Sequence, residues 1–252
     1  MKDPISYGGG MARLRRTLLT AAVAGAVHAA PGLTNVDIVR RALFPGLSGV
    51  GAPGHVAVTF DDGPQPESTP AFLEALDRLG WKATFFMLGS MVARSPALAA
   101  EVAAAGHEIA VHGYTHRSEM FRTLPAVHAD MARAVATISD ATGRELHWFR
   151  PPYGTLSAGG VVAARRQRLR TVLWSTWGRD WRAEATPATV VADVKEHLGP
   201  GATVLLHDSD CTSAPGAWRS ALGALEPLAE LFAERGLQAG TLGAHGLVGA
   251  VN

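Results

Sequence analysis

Short, uninterrupted apolar runs alternate along this chain with longer stretches whose apolar residues recur every three to four positions. The runs are His55 to Val58, Ala83 to Leu88, Glu108 to Val111, Leu146 to Phe149, Thr171 to Trp174 and Ala202 to Leu206, with Leu237 to Leu242 as a weaker seventh. Each has the length of a strand, and continuous apolarity suits a strand covered on both faces. Between them one grammar repeats: Ser/Thr-Pro opens a helix and Gly closes it. It runs from Ser68-Thr69-Pro70 to Gly80, from Ser95-Pro96 to Gly106 and from Thr186-Pro187 to Gly199. Proline fits the first helical turn, where its missing amide costs nothing, and glycine tolerates the left-handed residue that ends a helix. Further helices are predicted over Pro125 to Thr142, Ala158 to Arg168 and Trp218 to Arg235.

Strands alternating with helices imply parallel pairing through right-handed crossovers, hence an α/β fold. An open doubly wound sheet and a closed barrel both satisfy the pattern. No Gly-rich phosphate loop follows the first strand, which removes the usual reason to prefer a dinucleotide fold. Seven units point to a single TIM-like catalytic domain, a barrel slightly smaller than the eight-stranded form. That domain is placed at residues 54–245, with 1–53 as an N-terminal extension, Gly46 to Gly54 as its linker, and 246–252 as a tail.

The polar residues of interest follow the strands. Asp61 and Asp62 stand after the first, in Thr59-Phe60-Asp61-Asp62-Gly63-Pro64, where Gly-Pro turns the chain away. Neighbours in extended chain point to opposite sides, so the two acids are expected to do different jobs, one binding a cation and one handling a proton. His112 and His116 follow the third strand, in His112-Gly113-Tyr114-Thr115-His116. Arg150 ends the fourth, before Pro151-Pro152-Tyr153-Gly154; Asp180-Trp181 lies beyond the fifth; His207 ends the sixth, in Leu205-Leu206-His207-Asp208. The carboxyl ends of barrel strands form the working rim, and five loops deliver a reactive residue there. Two histidines four apart share a face if their segment makes a helical turn. With Asp62 they make a two-His, one-carboxylate set that leaves positions open for water and substrate.

These five segments resemble the polysaccharide deacetylase family, the NodB-homology domain of carbohydrate esterase family four, over roughly Gly54 to His245. The resemblance implies a distorted (β/α)7 barrel and metal-dependent removal of N-acetyl groups from a glucosamine polymer such as chitin or peptidoglycan. It implies Asp62, His112 and His116 as ligands of a divalent metal, zinc or a similar ion such as cobalt. Asp61 is then the general base, with Arg150 paired to it. His207 is the general acid, oriented by Asp180. The backbone N–H of Tyr153 would contact the oxyanion, Pro151 would join it in binding substrate, and Trp181 and Leu205 would wall the acetyl pocket. Family members often carry a further acid a few residues before the Asp-Trp pair, whereas Trp174-Ser175-Thr176-Trp177-Gly178-Arg179 has none. Trp148, Trp174, Trp177 and Trp218 are expected to pack in the core rather than stack on sugar rings.

Composition narrows the partners. A formal charge of +1 with 47% hydrophobic residues gives no reason to expect a nucleic-acid partner. The basic run Arg165-Arg166-Gln167-Arg168-Leu169-Arg170 has no interleaved aromatic residues and reads as a solvated helix end. A single cysteine, Cys211, excludes an internal disulfide and a multi-Cys zinc module. Met11 to Arg16 is basic, Thr17 to Val27 is Ala-rich and uncharged, and Val27-His28-Ala29 suits signal cleavage. A secreted or envelope location follows, the alternative being a packing helix on a cytoplasmic enzyme; the run reads as too short for a membrane span. A monomer is expected. Two rival functions remain open, a metal-dependent amidase of small N-acyl compounds and a sugar-binding module without catalysis.

Overall fold

The structure, a computed structural model, describes residues 8–36, 40 and 44–247. Its sheet contains β1 (His55–Asp61), β2 (Thr84–Met87), β3 (Glu108–Val111), β4 (Trp148–Phe149), β5 (Arg170–Thr171), β6 (Thr176–Trp177), β7 (Thr203–His207) and β8 (Gln238–Gly240). Its path runs β5-β4-β3-β2-β1-β7-β6 and every pairing is parallel. The sheet curls, and no pairing joins β5 to β6, so the distorted (β/α)7 barrel expected from the sequence is open on that side. Strand β8 pairs with the first half of β1, on the edge that β2 takes over further along.

The helices are α1 (Gly8–Ala29), α2 (Thr69–Arg78), α3 (Gly89–Arg94), α4 (Pro96–Ala104), α5 (Leu124–Thr142), α6 (Ala158–Arg166), α7 (Pro187–His197) and α8 (Trp218–Glu234). The Pro-opened segments behave as their sequences predict. Helix α7 adds a capping box, with Thr186 and Thr189 each satisfying the other's backbone amide. The six-residue α3, tucked straight behind β2, lacks the periodicity that would have announced it.

Alternation along β1 sorts the core from the site. Val56, Val58 and Phe60 face the helices in the main apolar cluster, where the Phe60 ring lies 5.1 Å from those of Phe72 and Phe85. Thr59 and Asp61 therefore face the barrel interior. Strand β7 repeats this, with Val204 and Leu206 in the cluster and Leu205 and His207 facing inward.

One predicted element is corrected. Of the apolar run Thr171 to Trp174, only Thr171 lies in a strand, at the end of β5. The ladder breaks after Thr171 and resumes at Thr176, so Asp180 follows β6 rather than the fifth strand. The cause is the glycine-rich segment before β1, which occupies the opening. Leu173 donates its amide to Leu47 O (2.8 Å), the Thr203 hydroxyl donates to Gly49 O (2.5 Å), and Gly51 donates to Gly201 O (2.8 Å). The apolar N-terminal stretch is also longer than its composition suggested. Within α1 and the turn after it, Thr17–Thr34 is long and apolar enough to cross a membrane, and little of it is buried.

Candidate metal and acid–base centre

The rim is built outward from β1. Asp61 is its last residue and points inward. Asp62 adopts φ 79°, a left-handed conformation that Asp tolerates better than most residues, and this swings its carboxylate across the mouth. Gly63 must follow, because a Cβ there would collide with the Asp208 carboxylate.

Asp62 is fully buried. Its Oδ1 lies 3.4 Å from His112 Nε2 and 3.5 Å from His116 Nε2, while Oδ2 accepts a hydrogen bond from Thr212 at 2.5 Å. Oδ1 has no hydrogen-bond partner, an expensive arrangement for a buried carboxylate oxygen. Those two separations are long for hydrogen bonds. They match the spacing of about 3.4 Å between donors held about 2.1 Å from one tetrahedral ion. The three donors lie within 4.8 Å of one another. They fit a divalent cation of the zinc type, with two nitrogens and one carboxylate.

His112 presents one ring nitrogen to Asp62. Its Nδ1–H donates to Arg150 O at 2.8 Å, which leaves Nε2 with the lone pair facing Asp62. Burial, reinforced by the neighbouring charges of His116 and Arg150 and only partly offset by Asp62, lowers its pKa to about 3, so the ring is neutral. The two histidines converge without the helical turn that their spacing suggested. Gly113 (φ 89°) and a bend at Tyr114-Thr115 do it instead. Asp130 of α5 secures that bend, accepting from the Tyr114 amide (2.7 Å) and the Thr115 hydroxyl (2.9 Å) and pairing with Arg122 (3.0 Å). Asp130→Ala should therefore weaken metal affinity by about 10–100-fold with the fold intact, as read by metal titration and circular dichroism.

Asp61 has a different neighbour. Its Oδ1 pairs with Arg150 at 2.6 Å, while Oδ2 lies 3.7 Å from His112 Nε2. Arg150 is wholly buried and also donates to the Thr59 hydroxyl (2.9 Å) and Leu173 O (2.8 Å). Opposite Asp61 in the β1–β7 register stands His207. Its Nδ1–H donates to Asp180 Oδ1 at 3.0 Å, and its backbone N–H donates to Asp180 Oδ2 at 2.7 Å. Burial alone would lower the His207 pKa. The adjacent Asp180, with its hydrogen bond and the charges of Asp62 and Asp61, outweighs burial and pushes it up to about 10.

Tyr153 also adopts a left-handed conformation (φ 59°), in the turn Pro152–Gly154, and its ring packs edge-on against His116 at 4.3 Å. Pro151 precedes that turn. Trp181 packs edge-on against His207 at 5.6 Å, and Leu205 lies one inward position below it. Trp148 is buried, as expected. Cys211 Sγ reaches Asp62 O at 3.6 Å but is not one of the converging donors, and its pKa is raised to about 11, by burial first and then by Asp62, so it remains a thiol. The adjoining cavity of about 350 Å³, between Pro64, Arg94 and Cys211, is lined by none of Asp61, Asp62, His112, His116 and His207. Thr59, Asp130 and Thr212 escaped the sequence analysis because single hydroxyls and a helical Asp carry no spacing signal.

Comparison with known proteins identifies the family. The family model described as polysaccharide deacetylase matches residues 49–172. A chitooligosaccharide deacetylase of Bradyrhizobium is 38% identical over 167 residues, 66% of this chain and 74% of its own length. The chain belongs to the polysaccharide deacetylase family. A peptidoglycan-N-acetylglucosamine deacetylase of Bacillus cereus is 36% identical over 161 residues, 61% of this chain and 72% of that relative. Among solved structures, the family 4 carbohydrate esterase from Streptomyces lividans in complex with acetate superposes with a TM-score of 0.68 at 29% identity. That match covers 78% of this chain and 98% of the esterase. The family's parallel, curled barrel is the fold described above.

Proposed function

We propose that this chain hydrolyses N-acetyl groups on an N-acetylglucosamine-containing polysaccharide, chitin-like or peptidoglycan, with Asp62, His112 and His116 holding a divalent metal, zinc or cobalt. The observation that carries this is the orphaned Asp62 Oδ1 facing two imidazole nitrogens, with a paired carboxylate on one side and an Asp-linked histidine on the other. A divalent cation held there polarises the acetyl carbonyl and acidifies water.

The protein's own groups divide the remaining work. Asp61 Oδ1 is committed to Arg150, so Oδ2 is the oxygen that accepts the proton of the attacking water. Arg150 holds that carboxylate in place. His207, with Nδ1 anchored on Asp180, hands the Nε2 proton to the departing amine. The Tyr153 turn beside His116 is the assigned place for oxyanion contact, with Pro151 shaping its approach, and Trp181 and Leu205 form an apolar wall beside His207 for the acetyl methyl.

The deciding assay measures acetate release from chitin oligomers, peptidoglycan and small N-acyl amides. Chelation should abolish release and added Zn²⁺ or Co²⁺ should restore it. Release from the small amides alone would replace the polysaccharide reading. A donor must be protonated, so activity falls as pH rises past the His207 pKa. Asp180→Asn removes the main influence raising that pKa, and the alkaline limb of kcat should move to lower pH. The apolar window Thr17–Thr34, which follows Arg13, Arg15 and Arg16, supports an envelope or secreted location.

A further inference from the structure

The acyl-group specificity of the proposed reaction has a structural origin in a residue that the mechanism does not use. On β6, Thr176 points outward, buried with its hydroxyl donating to Val194 O of α7 at 3.0 Å. Trp177 therefore points inward. It stands opposite Leu205 on β7, which stands opposite Thr59 on β1. These three inward positions form the layer immediately below Asp61 and His207, which face each other one step higher. Trp177 is only half-buried and, among the described residues, belongs to neither buried apolar cluster. Its ring instead continues an aromatic chain up to the proton donor, 5.8 Å from Trp181, which is 5.6 Å from His207.

The Thr59 wall of this layer is polar and occupied. The Thr59 hydroxyl donates to Val204 O at 2.6 Å and accepts from Arg150 at 2.9 Å. An acyl group whose carbonyl oxygen faces the donor set of Asp62, His112 and His116 must turn its alkyl end away from that polar cluster. The apolar surface within reach of His207 is Leu205, Trp181 and, beneath them, Trp177. We propose that Trp177 closes the far end of the acyl pocket and thereby restricts the enzyme to acetyl groups. This rests on the function proposed above and adds a specificity determinant to it.

The test compares kcat/KM of the zinc-loaded full chain and its variants on chitotetraose carrying N-acetyl, N-propionyl or N-butyryl groups. The parent should favour acetyl strongly. One methylene in an apolar pocket is worth roughly 10–200-fold in discrimination, so Trp177→Ala should reduce the acetyl-to-butyryl preference by at least about tenfold. Trp177→Leu, which keeps more of the volume, should fall between the two and carries the test if the alanine variant does not fold. A folded, zinc-binding variant that releases acetate with the parent's preference overturns the assignment of Trp177 alone. A parent that releases acetate from no N-acetylated glycan overturns the proposed function, and this inference with it.

Discussion

Asp61→Asn should keep the metal and lose turnover by about 10²–10⁴-fold, the range of a positioned general base. The amide retains the shape of the carboxylate and an oxygen for Arg150, but it cannot take a proton. Asp62→Ala should instead lose metal and activity together, because it removes the oxygen that both imidazoles face. Metal content by elemental analysis and kcat on chitin oligomers, measured on the same preparations, separate the two variants. The roles are reversed if Asp61→Asn strips the metal while Asp62→Ala keeps it. The structure's reason for expecting otherwise is that Asp61 Oδ1 is already taken by a guanidinium, whereas Asp62 Oδ1 has no hydrogen-bond partner.

The second large effect is on stability. Arg150→Met should lower unfolding free energy by about 3–5 kcal/mol, the usual cost of removing one partner from a buried pair and leaving the other charge alone. Asp61 then has no counter-ion, and the Thr59 hydroxyl and Leu173 carbonyl each lose a donor. Leu173 lies where the ladder is broken between β5 and β6, so Arg150 helps to hold the open side of the barrel as well as the base. The combination Asp61→Asn with Arg150→Met should recover part of the lost stability, since the uncompensated charge is gone, without recovering turnover. Denaturant unfolding of the two single variants and the double variant measures this coupling. An Arg150→Met variant as stable as its parent would show that the pair contributes nothing to folding.

The two sites differ in how far they could be read in advance. Alternation along an extended chain puts Asp61 and Asp62 on opposite sides, but Asp62 leaves the strand with φ 79° and both carboxylates approach His112 Nε2. The His112/His116 spacing pointed to a metal through a helical turn that does not exist. The same two rings meet because Gly113 takes a left-handed conformation and Asp130, on a different element, pins the bend. The strand predicted over Thr171 to Trp174 failed because Val172 and Leu173 are buried, as a strand would be, yet Leu173 gives its amide to Leu47 of the N-terminal segment rather than to a neighbouring strand.

By itself, the sequence determined the alternation of strands and helices, the parallel barrel class, and which residue types end which strands. These follow from local periodicity, proline and glycine placement and the burial demand of each segment, all written in consecutive residues. Only the tertiary structure decided that the barrel stays open between β5 and β6, that Arg150 reaches Thr59 and Leu173 as well as Asp61, and that Trp177 stays outside both buried apolar clusters. Those outcomes depend on contacts between residues tens to more than a hundred positions apart, such as Arg150 with Asp61 and Thr203 with Gly49. Their partners are selected by chain closure and the competition for buried hydrogen bonds, which no local pattern records.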